Sequence, residues 1–153
     1  MRTLIQRVSK AMAIEKSSQK TLASISQGLV IFCAFEPKDD LISIEQMVQK
    51  IKNLRVFSDA SDKLNLPGSE VSASYLLVSQ FTLYANCKYG NRPSFESAAP
   101  KPKAKECFEH FVNTFTKSAE PNSVKSTPFG SNLALELTND GPVTIWLDSF
   151  EVL

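Results

Sequence analysis

One histidine, three cysteines and two polar segments hold most of the chemistry that this sequence offers. The histidine is His110. A Ser-His-Asp arrangement needs an imidazole held between a nucleophile and an acid. His110 falls off the apolar face centred on Phe108 and Phe111, so it reads as an exposed helix histidine and disfavours that class. Cys107 stands one helical turn before it, which allows a Cys-His pair. Yet Cys107 borders the apolar face and His110 points away from it, so core packing is the simpler reading. Cys33 lies in an apolar run and reads as core. Cys87 lies in a loop, with no neighbour to make it a nucleophile. An odd number of cysteines without a CxxC spacing argues against a disulfide framework or a zinc site, and for a reducing compartment. The chain has no Walker A loop and no GxGxxG. Neither a metal nor a cofactor is expected.

The first polar segment is Ser79-Gln80-Phe81-Thr82-Leu83. It ends a strongly apolar stretch and is expected to continue it as a strand. Gln80 and Thr82 would then share one face, Ser79 and Phe81 the other. An ordinary amphipathic strand end would look the same. The second segment is Asn139-Asp140-Gly141-Pro142-Val143-Thr144. A β-turn between two strands is the plain reading. Gly-Pro also permits a cis peptide bond, found in ~5–6% of X–Pro bonds in folded proteins. Glycine lets main chain approach a ligand closely. A third segment, from Tyr84 to Lys105, carries Lys88, Arg92, Lys101, Lys103 and Lys105 against the single acid Glu96, with Tyr89 and Phe95 interleaved. A solvated loop and a patch for phosphates and a stacked base both fit it.

These segments need elements to position them. Leu4, Gln6 and Val8 alternate with Thr3, Ile5 and Arg7, which predicts a strand over 2–9 that residues 11–15 could extend. Lys16 to Lys20 reads as a turn and Leu22 to Ile25 as a returning strand. Leu29 to Phe35 is apolar on both sides, the mark of a strand covered on both faces. Ser43 and Gln46 have capping-box spacing, and Ile44, Met47, Val48, Ile51 and Leu54 follow at helical spacing, so a helix is predicted over about 43–54. Arg55-Val56-Phe57 reads as an edge strand and 58–69 as an irregular connection. Val71 to Leu83 is a strand signal, 85–103 a loop. A second helix follows, with Ala104, Cys107, Phe108, Phe111, Val112 and Phe115 on one face. Asn132 to Leu137 and Val143 to Leu147 read as two further strands. The order predicts one α/β domain over 1–153, a mixed sheet with two main helices.

The chain's 153 residues, 42% hydrophobic, are enough for one core. Its formal net charge of +1 argues against a protein that coats nucleic acid or binds DNA through many phosphate contacts. Contact with a short piece of RNA remains compatible. Charges interrupt Met1 to Val8 too early for a signal peptide, and Leu29 to Phe35 is too short to span a bilayer. A soluble, cytoplasmic protein without a membrane partner is expected.

Ser79 to Leu83 resembles the SQxxL motif of D-aminoacyl-tRNA deacylases, and Asn139 to Thr144 their NxGPxT motif. Gln6-Arg7-Val8, Lys52 to Phe57 and Gly90 to Phe95 also resemble that family, so the likeness runs from Met1 to about Asp148. The two motifs in this order and separation are specific; either alone is weak. The chain departs from the family in lacking a glycine in the turn at 15–20, in Ala34-Phe35, in Cys87 and in the stretch Phe150 to Leu153. A related family acting on achiral or L-alanyl substrates carries proline where Ser79 stands, so Ser79 favours the D-specific branch.

The resemblance implies a mostly antiparallel, barrel-like sheet and a homodimer with its sites at the subunit interface. It implies hydrolysis of the ester between a D-amino acid and the terminal ribose of tRNA, with glycyl-tRNA tolerated. Gly141-Pro142, as a cis peptide steadied by Arg7 of the other chain, would enter the partner's pocket and reject L-residues there. Ser79 would belong to the same selection, a specificity built on rejection. Gln80, Phe81 and Thr82 are the candidate catalytic residues. Thr82 as an unactivated hydroxyl is a weak nucleophile. Water attack assisted by the ribose 2′-hydroxyl, with an oxyanion hole of backbone N–H groups near Phe81 and Thr82, is the preferred chemistry. Phe95 and Phe129 are candidates for packing on the terminal adenine of the tRNA 3′ end. An L- or glycyl-specific deacylase and a non-catalytic RNA-binding module are the competing readings.

Overall fold

The computed structural model describes all 153 residues. Strand β1 is Arg2–Glu15, β2 Thr21–Ile25 and β3 Gly28–Ala34. Helix α1 is Leu41–Lys52, followed by the short pair β4 (Phe57–Ser58) and β5 (Leu64–Leu66). Strand β6 is Ser74–Ser79, helix α2 Lys101–Ser118, β7 Val124–Ser126 and β8 Leu133–Asp148, with a last helical turn α3 at Ser149–Val152.

The long strand β1 organises the sheet. β2 and β3 run antiparallel to it, end to end along one edge: Ala11 faces Ile25 and Leu4 faces Phe32. β8 is antiparallel along the other edge. β3 continues the sheet with β6, and β6 with β7, both in parallel. β2 also comes close to β6 and β7, so the sheet curls towards closure. The expected α/β class, mixed barrel-like sheet and two main helices are all present.

Burial explains the arrangement. Ile5, Leu29, Ile31 and Leu77 pack one face of the sheet against Ile44, Met47, Phe111 and Phe115 of the two helices. Val8, Ala13, Val30, Leu76 and Val78 fill the opposite face. β3 and β6 are thus buried on both faces, as their unbroken apolar runs require. Phe111 and Phe115 are fully buried, and truncating either would cost roughly 3–5 kcal/mol. No helix in the chain is long and apolar enough to cross a membrane.

The structure differs from the sequence expectations at several ends. Asp40, not Ser43, caps α1: its carboxylate accepts the Ser43 N–H at 2.7 Å. The two form the capping box, with Ser43 in the role expected of Gln46. Arg55-Val56-Phe57 contributes only Phe57 to a strand, and the 58–69 connection contains β5 and a 3-10 turn at Gly68–Val71. The apolar signal at Val71 begins as strand only at Ser74, and α2 starts at Lys101, inside the expected loop.

Two differences bear on function. Ser79-Gln80-Phe81-Thr82-Leu83 is not a strand. β6 stops at Ser79, and Phe81–Tyr84 is a 3-10 turn. Its neighbour β3 ends at Ala34, so the last rung available is Gln80 N–H to the Cys33 carbonyl at 2.7 Å. Arg2 then holds the turn, donating to the Leu83 carbonyl at 3.2 Å and lying 4.4 Å from the Tyr84 ring centre. Second, the expected pair of C-terminal strands is one strand with an excursion. Gln6 pairs with Thr144 and Val8 with Asn139, so Asp140 to Val143 bulges out opposite the single residue Arg7. Only β1 pairs with β8, so its outer edge can accept a proline, which has no N–H for a ladder.

Candidate active site

The end of β6 opens onto a cavity of about 740 Å³. Ser79, Gln80 and Phe81 form one side, Phe95, Lys101 and Phe129 others. Phe81 and Phe95 meet edge to face, with ring centres 5.1 Å apart, and Phe129 lies 5.9 Å from Phe108 of α2. Phe81 is 57% exposed, which leaves its ring open to the cavity it lines. Phe81, Phe95 and Phe129 give the cavity aromatic walls, and Ser79, Gln80 and Lys101 add polar groups to its lining, a combination suited to a flat ring system with a polar appendage.

The turn from Phe81 supplies the polar groups. Leu83 N–H bonds the Gln80 carbonyl at 3.1 Å and Ala85 N–H the Thr82 carbonyl at 3.0 Å. Phe81 and Thr82 come first in the turn, so their N–H groups have no partner within it. The Gln80 side-chain amide donates to the Thr82 hydroxyl. That hydroxyl therefore has an amide beside it rather than a base. His110, the one imidazole, is occupied elsewhere. It lies between the helices, 3.0 Å from Glu45 of α1 and within 3.4 Å of Thr114. It is half-buried rather than exposed. Cys33 and Cys107 are buried, and burial pushes both thiols up from their ordinary values. Burial likewise pushes the Tyr84 phenol up, with Asp39, Glu36 and Asp148 adding to the effect.

The expected site residues separate into two places in one chain. Ser79, Gln80, Phe81, Phe95 and Phe129 converge on the cavity, with Thr82 next to it in the turn. Arg7, Gly141 and Pro142 do not line it. Gly141 and Pro142 are exposed, and their peptide bond is cis. Arg7 is 8% exposed and belongs to the same chain's excursion. Its Nε lies 3.2 Å from the Asp140 carbonyl and 3.1 Å from an Asp140 carboxylate oxygen, and its Nη1 donates to the Val56 carbonyl at 2.8 Å. The Thr144 hydroxyl braces the base of the excursion, 2.9 Å from the Asn139 amide and 3.3 Å from that of Gln6.

Sequence reasoning missed Asp140 as the counter-ion of Arg7, Arg2 as the anchor of the turn, and Gly130. An arginine on the buried face of β1 was the signal for the first. Nothing local in the sequence pointed to the other two.

Comparison with known proteins agrees with this architecture. Residues 4–148 match the family model described as D-Tyr-tRNA(Tyr) deacylase. A D-aminoacyl-tRNA deacylase of Dictyoglomus turgidum is 44% identical over 149 residues, covering 97% of this chain and 93% of that one. One from Haemophilus influenzae is 40% identical over 148 residues, covering 97% and 99%. A solved structure described as c-Myc DNA Unwinding Element Binding Protein superposes with a TM-score of 0.90 at 33% identity, covering 97% and 98%. A probable eukaryotic D-amino acid tRNA deacylase shares the fold, with a TM-score of 0.79 at 16% identity, covering 95% and 97%. The chain belongs to the D-Tyr-tRNA(Tyr) deacylase family, hydrolases of D-aminoacyl-tRNA.

Proposed function

We propose that this chain hydrolyses the ester of D-aminoacyl-tRNA by water attack in the cavity beside Phe81, and that it does so as a homodimer. The observation that carries the reading is the pair of N–H groups of Phe81 and Thr82, the first donors of a turn beside an aromatic-walled cavity. A carbonyl oxygen received there would be stabilised as negative charge develops on it. Thr82 shares its hydroxyl with Gln80 and has no base, which supports positioned water over a threonine nucleophile. The ribose 2′-hydroxyl, next to the scissile ester in the substrate itself, is the group that would assist that water. Phe95 and Phe129 would pack on the terminal adenine.

Gly141 and Pro142 lie exposed and apart from their own chain's cavity, which suits a segment lent to a second copy. Gly141 and Pro142 would then bound the substrate's α-carbon, with Arg7 holding the excursion. Main chain at that point leaves room for a hydrogen and collides with a side chain. Such a filter admits D-residues whatever their side chain, admits glycine, and rejects L-residues. The formal net charge of +1 suits a grip on the tRNA end alone and does not favour DNA as a partner. The reading assigns the protein to the cytoplasm, where its free cysteines are compatible with reducing conditions.

The test is hydrolysis of D-tyrosyl-, L-tyrosyl- and glycyl-tRNA by the purified protein, with its mass in solution measured alongside. Turnover of the D- and glycyl-esters by a dimer, with the L-ester spared, is expected. Equal hydrolysis of both hands would remove the filter, and binding without turnover of any ester would leave an RNA-binding module.

A further inference from the structure

The deacylase reading leaves open how the cavity's far wall is fixed. β6 and β7 pair only as far as Leu77 and Ser126, with Thr127 N–H to the Leu77 carbonyl at 3.2 Å as the last rung. The chain then leaves the sheet and turns at Pro128–Ser131, closed by Ser131 N–H to the Pro128 carbonyl at 3.3 Å. Gly130 takes φ +73 in that turn, where an L side chain is disfavoured. Phe129 lies in the middle of the turn and forms a wall of the cavity. One side-chain bond joins this turn to the catalytic segment: the Ser79 hydroxyl accepts the Gly130 N–H at 3.2 Å.

We propose that Ser79 is a positioning residue, whose hydroxyl sets the Pro128–Ser131 turn and through it the Phe129 ring, rather than a residue that reads the substrate. This rests on the deacylase reading for its kinetic consequence but not for the latch itself. Ser79 ends β6, so its Cα is fixed by the ladder to β3 and the rung that follows at Gln80. Its oxygen is a fixed acceptor. Gly130 is exposed, and no other side chain takes its N–H. With the bond made, Phe129 rests against Phe108 and faces the cavity. Without it, the turn samples other arrangements and the wall is only partly present when substrate arrives.

The experiment has two arms. In the first, amide hydrogen exchange is followed at Gly130 in the intact protein. Ser79→Ala should speed exchange there by about fivefold, the equivalent of one net hydrogen bond, and Ser79→Thr should restore the slow rate. An unchanged Gly130 rate overturns the latch whatever the protein hydrolyses. In the second arm, steady-state hydrolysis of D-tyrosyl-tRNA is measured for the parent, Ser79→Ala, Ser79→Thr, Phe129→Ala and the Ser79→Ala/Phe129→Ala double variant. Ser79→Ala should raise KM by about fivefold with kcat nearly unchanged, Ser79→Thr should recover it, and the effect should vanish in the Phe129→Ala background. A Ser79→Ala effect of equal size in both backgrounds means that Ser79 meets the substrate directly, and overturns the proposal. Absence of turnover by the parent defeats the deacylase reading and leaves the latch to be judged by exchange.

Discussion

Replacing Gly141 by alanine adds one methyl group beside a buried cation. Gly141 has φ +113, a region that L-residues rarely occupy. A Cβ there would stand 2.8 Å from Arg7 Nη2 and 3.0 Å from Val143 Cγ2. Two costs follow. Holding alanine at that φ costs roughly 1–3 kcal/mol. Relieving the collision means shifting the guanidinium, which lengthens its bonds to Asp140 and to the Val56 carbonyl. Loss of a charged hydrogen bond costs about 1.5–3 kcal/mol. Together these give roughly 2.5–6 kcal/mol, a large part of the stability of an ordinary domain. Urea unfolding at neutral pH measures it for Gly141→Ala, Arg7→Ala and the double variant. In the Arg7→Ala background the collision with the guanidinium is gone, and the backbone cost and the Val143 contact remain. The two substitutions should therefore be non-additive by about 1.5–3 kcal/mol, the double variant being less damaged than the sum. Strict additivity, or a Gly141→Ala cost below about 1 kcal/mol, would refute the packing argument.

Thr82→Ala should keep much of the hydrolytic activity, because water rather than the hydroxyl is the attacking group; total loss of turnover with tRNA binding intact would overturn that chemistry. Asp40 and Asp59 accept backbone N–H groups, from Ser43 and from Lys63 and Ser61 respectively, and these bonds hold both carboxyls below their ordinary value. A lowered folded value contributes stability above the unfolded value of about 3.9, and that contribution is lost as pH falls through the folded value. Urea midpoints measured at pH 7 and pH 3 should differ less in an Asp40→Ala/Asp59→Ala variant than in the parent, and an undiminished difference would count against these two groups.

Much of the fold was legible because periodicity and burial report the same thing. The alternation of Thr3, Ile5 and Arg7 with Leu4, Gln6 and Val8 gave β1 its two faces, and the doubly apolar run from Leu29 gave a covered central strand. The ends were less legible, because they depend on partners far along the chain. Ser79 to Leu83 looks like strand on propensity, but a parallel strand lasts only as long as its neighbour, and β3 stops at Ala34. Asp140 to Val143 looks like a hairpin turn, yet β1 continues past it and recaptures the chain on both sides. The aromatic wall formed by Phe129 depends on a turn and a serine 51 residues apart in sequence. Asp40 outcompeted Ser43 as a cap because a carboxylate there accepts the N3 N–H while Ser43 serves as N3 itself.

Synthesis from the N-terminus gives β1 a particular history. Its first edge is satisfied early, because β2 and β3 follow within twenty residues of its end. Its other edge waits for β8, made last, and so does the carboxylate that neutralises Arg7, 133 residues further along. A nascent chain released or stalled before residue 133 therefore carries an open fourteen-residue strand edge with an uncompensated cation on its inner face. Such an edge invites pairing with other chains. The guanidinium, costly to bury alone, resists the collapse that would hide that edge. Arrival of β8 closes both defects at once, so the strand that bears Gly141-Pro142 is also the one that separates a finished molecule from an adhesive intermediate.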